Sequence, residues 1–216
     1  MNAFRTLIIA ALGCAALPAF ALSEGGQTQL HQLQTRWAEI NYQLPEKQRE
    51  EAFGKLVTQA DAALAGEPKA PELLIWRGII LSTQAGAKGG LGALSLVKQA
   101  KSSLEQALAI DPQALAGSAY TSLGSLYYQV PGWPIGFGDD DEAEKLLKQA
   151  LAINPDGIDP NYFYADYLQR KKRYAEARDA LQKALAAKDR PGRELADKGR
   201  RAEAQALLQQ VEGKLK

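Results

Sequence analysis

Reactive sulfur is almost missing from this chain: one of its 216 residues is cysteine, Cys14, and it lies in the apolar leader. Removal of that leader would leave no thiolate nucleophile, no disulfide and no cysteine metal ligand, and a chain that tolerates an oxidising compartment. Histidine is as scarce. His31 stands alone, so a histidine-built metal shell and the Ser/His/Asp and Cys/His arrangements lack their parts. No pair of carboxylates suggests hydrolytic chemistry either. The glycines at 86, 89, 90 and 92 form no phosphate loop, because Lys88 precedes Gly89 and Gly90 instead of following the last glycine. An excess of one charge is also lacking. The 26 basic residues meet 25 acidic ones, and 25 meet 25 once Arg5 is removed, which speaks against nucleic acid or an anionic membrane as partner. The sequence implies no cofactor, no metal and no enzyme.

The leader has three parts: a positive start at Arg5, an apolar run from Leu7 to Leu17, and the small-x-small pattern Ala19-Phe20-Ala21. That order predicts a cleaved secretory signal over residues 1–21 and a periplasmic mature chain. Pro18 ends the run short of the ~20 residues a membrane span needs. Lipid attachment at Cys14, after Ala11-Leu12-Gly13, is the alternative at this position.

What the sequence does have is repetition. Ala63-Leu64-Ala65-Gly66-Glu67-Pro68 returns as Ala107-Leu108-Ala109-Ile110-Asp111-Pro112 and as Ala150-Leu151-Ala152-Ile153-Asn154-Pro155, and Ala184-Leu185-Ala186 begins a fourth copy. Proline stops each helix. Small residues at 78, 124 and 165 face Ala100, Ala143 and Ala177, which lets paired helices approach closely. The repeated alanines stand at 63, 107, 150 and 184, so the first two intervals are longer than the last. Their surplus falls between paired helices, at 85–92 and in Pro131-Gly132-Trp133-Pro134-Ile135-Gly136-Phe137-Gly138-Asp139. Both inserts are expected at one rim. Asp139 and Glu142, in the acidic run 139–144, are spaced as a capping box, and Arg170-Lys171-Lys172-Arg173 reads as a solvated turn.

Tyr120, Leu123, Gly124 and Tyr127, followed by Ala143, Leu147, Ala150 and Pro155, resemble a tetratricopeptide (TPR) repeat. The plain period of that repeat is about 34 residues, and the last alanine interval equals it. The resemblance implies an all-α, right-handed solenoid of about four hairpins (27–68, 71–112, 115–155 and 159–191) with a capping helix over 192–216, in one domain spanning 22–216. The Pro-Gly-rich insert that ends in Gly138-Asp139 and runs into Glu142-Ala143 also resembles the T-component family of tripartite ATP-independent periplasmic (TRAP) transporters. The chain departs from that family's pattern, with Gly132-Trp133 in place of Gly-Gly. The second resemblance implies association with a periplasmic solute-binding protein and a homo-oligomer such as a trimer.

Two readings follow. In one, an exported scaffold binds an envelope protein or peptide; in the other, a transporter accessory handles a small organic ligand near the inserts. Trp133 and Phe137 are each either packed onto the helices or presented to a partner. By the register the resemblance implies, the groove presents Ile75, Ile79, Thr121, Ser125, Tyr128, Tyr162, Asp166 and Gln169. The candidate binding residues are Tyr128, Trp133, Phe137, Tyr162 and Asp166.

Overall fold

Proline and glycine set the borders of the helices. In the computed structural model, which describes residues 22–216, Pro71 opens one helix at its first turn, where its missing N–H costs nothing, and Gly89 closes the same helix at φ 65. The leader, its cleavage pattern and Cys14 lie outside the described residues. Among those residues there are nine α-helices and no strand: α1 (Glu24–Gln43), α2 (Glu46–Gly66), α3 (Pro71–Lys88), α4 (Leu94–Ile110), α5 (Ala114–Gln129), α6 (Asp140–Ile153), α7 (Ile158–Arg170), α8 (Tyr174–Ala186) and α9 (Glu194–Leu215). None is long and apolar enough to cross a membrane.

The helices pair as hairpins, α1 with α2 through α7 with α8, each consecutive hairpin resting on the next. Small residues permit the pairing. A Cβ at Gly78 would stand 2.7 Å from Leu104 Cγ, and one at Gly124 would stand 2.9 Å from Leu147 Cγ. Ala165 and Ala177 are fully buried in the last hairpin. The architecture is thus the helical solenoid that the repeats predict.

Three local features differ from the sequence reading. Half of the first insert is helical: residues 85–88 extend α3 by a turn, and only Gly89 and Gly90, both at positive φ, with a 3-10 turn at Leu91–Ala93 make the loop. The capping box at Asp139 is half formed. Asp139 Oδ1 accepts from the N–H groups of Asp141 and Glu142, but its own N–H goes to Tyr127 O, and Glu142 pairs with Lys145 instead. The basic turn at 170–173 is engaged in ion pairs. Arg173 binds Glu144 and Glu176, Lys171 binds Asp140, and Arg170 approaches Asp166, so three of its four cations tie the α7–α8 turn to neighbouring carboxylates.

Alternate helices, α1, α3, α5 and α7, form an inner layer in which each touches the next. The last helix does more than cover α8, to which Arg201 ties it by donating to Ala187 O at 2.8 Å. It also lies against α7 and returns to α1, so the inner helices close into a ring. Apolar contact carries part of that closure: Ala196 and Leu195 join the cluster of Leu33, Trp37, Ile40 and Phe53. Close approach needs glycine, because a Cβ at Gly199 would collide with the Tyr42 ring.

Gly199→Val is therefore expected to force α9 off α1, at a cost of about 1–3 kcal/mol through overpacking. Faster proteolysis within 190–216, together with a lower melting temperature, would show it; an unchanged digest would contradict the role given to Gly199.

Candidate functional site

The ring encloses a cavity of about 880 Å³. Its walls come from α1, α3, α5, α7 and α9, with the start of α2 at one edge. One wall is aromatic. Trp37 meets both Tyr42 and Trp76 edge to face, at centroid separations of 5.8 and 5.9 Å, and its Nε1 donates to Thr83 Oγ1 at 2.9 Å. The facing wall is a hydroxyl stripe on α5, formed by Ser118, Thr121, Ser122 and Ser125. The chain enters α5 through a left-handed segment, Leu115 (φ 47), Ala116 (φ 53) and Gly117 (φ 74), of which Leu115 and Ala116 line the cavity. Left-handed Leu and Ala cost about 1–2 kcal/mol each, so the surrounding packing holds them there. Gly117 has a reason of its own, since Ile153 Cδ1 lies 3.0 Å from where its Cβ would be.

Charge enters from α9 and the turn before it. Asp159, at the start of α7, accepts from Arg190 Nη1 at 2.7 Å and from Arg200 Nε at 2.8 Å. Arg190 also holds buried Asp197, while Arg200 binds Glu203 and lies 4.6 Å from the ring centres of both Tyr162 and Phe163. Burial alone would raise the Asp159 pKa, but the Arg200 and Arg190 guanidiniums outweigh it and bring the carboxyl down to about 2. Arg200 responds in the opposite sense: burial opposes its charge, yet Asp159 and its other anionic neighbours raise its pKa. Arg193 stacks on Trp76 at 4.9 Å.

The five candidate residues fall in three places. Trp133 stands on the rim, 90% exposed, so of the two alternatives for its ring, packed or presented, the packed one does not hold. Carbonyl groups explain why the ring stays out: Gly136 and Gly138 lie so close to Pro131 O and Val130 O that the loop closes on its own backbone and holds Trp133 away from the helices. Phe137 is the ring that anchors, edge to face with Tyr127 at 5.4 Å and with the Lys101 ammonium over both. Tyr128 is buried at the α5–α7 seam, where its Oη donates to Asp166 Oδ2 at 2.8 Å and Arg170 covers its ring at 5.0 Å. Tyr162 and Asp166 line the cavity.

Ile79, Thr121 and Ser125 also line the cavity as expected, whereas Ile75 is fully buried and Tyr128 and Gln169 are not in its wall. Trp37, Tyr42, Trp76 and the three arginines were missed. Gly192 with Arg193, returning one heptad later as Gly199 with Arg200, puts small and cationic positions on one face of α9 and the turn before it. That spacing was the one available signal, and it says nothing about what the face meets.

Residues 135–197 match the tetratricopeptide repeat family. Among solved structures, the chain is similar to MamA: one crystal structure is 22% identical, covers 78% of this chain and 92% of its own, and has a TM-score of 0.45, and a second is 20% identical with 87% and 92% covered, also at 0.45. It is also similar to a thermophilic TPR protein in Thermus thermophilus, at 20% identity, with 84% and 99% covered and a TM-score of 0.42. No curated protein matches the chain.

The ring closure should depend on pH through Asp159. Its folded pKa of about 2 lies below the ordinary 3.8, so its ionised form stabilises the fold above pH 4, and that contribution is lost as pH falls through 2. Asp159→Asn should lower the melting temperature at pH 7 by roughly 4–8 °C, for a loss of order 2 kcal/mol. Melts of both proteins from pH 7 to pH 2 should show that gap closing below pH 4; a gap independent of pH would assign the loss to packing.

Proposed function

We propose that this chain is an exported, non-catalytic TPR scaffold that binds a protein partner in the cell envelope and docks it on the rim that carries Trp133. One observation supports the reading above the others. Trp133, 90% exposed, is joined by Ile135 at 57%, on a loop whose closure uses neither side chain. Leu91, 80% exposed, belongs to the same end of the solenoid, because α4 starts where the first insert ends and α5 runs back from the turn at 111–113 to the second insert. Large exposed apolar side chains gathered at one rim suit a protein interface, where a tryptophan commonly carries much of the affinity. Export rests on the leader sequence.

The second reading is an accessory subunit of a TRAP-type solute transporter, and the cavity inside the ring is the observation that favours it. In that reading the solute sits inside the ring, whose cavity is lined in part by Gly86 and Ala87 of the first insert, and the rim docks a periplasmic solute-binding protein.

A photoreactive amino acid at position 133, expressed in the native host, should crosslink to a discrete envelope protein, while the same group at Gln182 on the outer face should not. Equal labelling at both positions, or none at 133, would sink the rim reading. Trp133→Ala should leave the melting temperature within about 1 °C, because an exposed side chain contributes little to stability. Loss of the crosslinked partner from Trp133→Ala in a pull-down would then be a loss of recognition alone.

A further inference from the structure

Three of the four guanidiniums that line the cavity have acceptors: Arg190 and Arg200 bind carboxylates, and Arg49 donates to Leu44 O at 2.9 Å. Arg193 differs. Its Nε is buried without a hydrogen-bond partner, and among the described residues it makes no ion pair, although it lines the cavity with its face against Trp76. On the same wall Tyr42 Oη is also buried and unpartnered. Folded interiors leave few such groups unpaired, and here both belong to residues that line one cavity.

From an arginine left without an acceptor in the wall of a cavity we infer that the cavity binds a small organic monoanion, its oxyanion received by the Arg193 guanidinium on the Trp76 side and its body lying along the hydroxyl stripe of α5. The site deepens the second reading above, a solute held inside the ring, and rests on it; it does not depend on the rim at Trp133. Guanidinium presents parallel N–H donors that match an oxyanion. Burial and the neighbouring Arg190 also pull the Arg193 pKa down, a mismatch that an incoming negative charge relieves. Trp76, Tyr162 and Phe163 supply apolar walls for an organic body, and about 880 Å³ lies in the range of cavities that hold one. One charge is the limit, since Glu46, Asp166 and Glu203 line the same space and repel a second.

The probe for the test is anilinonaphthalene sulfonate, a fluorescent organic monoanion, titrated into the full mature chain. Saturable binding of one dye per chain is expected, weakened at least tenfold in Arg193→Gln, retained within about threefold in Arg193→Lys, and unchanged in Trp133→Ala. Ser122→Trp, which fills the cavity from α5 and leaves Arg193 in place, should abolish binding while thermal melts show both variants folded. Octanoate should displace the dye. Absence of saturable binding to the folded chain, or binding indifferent to both Arg193→Gln and Ser122→Trp, would overturn the assignment. Displacement by a free-acid pentapeptide but not by octanoate would give the site to a partner's chain end and overturn it as well. Because position 133 is read separately by crosslinking, failure of the cavity site and failure of the rim reading are distinguishable.

Discussion

Asp159 is the point on which the ring depends. It opens α7, in the fourth hairpin, and both of its partners, Arg190 and Arg200, come from the end of the chain. A half-buried carboxylate between two guanidiniums is the shared acceptor of both, and its removal leaves each arginine with one acceptor fewer. The pairing therefore fixes the turn before α9 and α9 itself relative to α7. Once α9 is placed on α7, its small residues Ala196 and Gly199 lie over Trp37 and Tyr42, and the inner helices meet end to start.

A closed ring changes what a repeat scaffold can do. An open concave surface offers a groove to an extended segment, whereas a ring of five inner helices leaves a bounded space with a fixed set of donors. The two proposed surfaces differ in how they are built. The rim is built by backbone contacts within the second insert, and the cavity wall by side chains from five helices, so each can change without the other. Phe137 marks the boundary, rooting the insert on Tyr127 while Trp133 extends into solvent.

The cavity itself is made by conflict with local rules. Leu115 and Ala116 are left-handed, Tyr42 Oη and Arg193 Nε lack partners, and two arginines share one carboxylate. Other departures lie away from it, at left-handed Lys172 in the α7–α8 turn and at the buried, unpartnered Glu72 Oε2 of α3. Strain held beside a cavity is one of the places where function is expected to reside.

Hairpin number and the close pairing at Gly78, Gly124 and Ala165 were legible in the sequence, because each depends on residues a few positions apart: period, proline, and a small residue opposite a large one. Asp166 and Tyr162 were reached only through the register that the TPR resemblance implies. Whether Trp133 packs or protrudes was not, since backbone closure of its loop, and not the apolarity of the ring, decides it. The union of α9 with α1 was not legible either. It joins the two ends of the described chain through Leu195, Ala196 and Gly199 against the Trp37 and Tyr42 end of α1, while Asp159 and its two arginines hold α9 on α7, and no local pattern encodes which distant face a helix will meet. The repeated sequence determined a helical solenoid; the tertiary structure alone decided that it closes, and so that it holds a cavity, because closure is a sum of long-range contacts that exist only once every hairpin is in place.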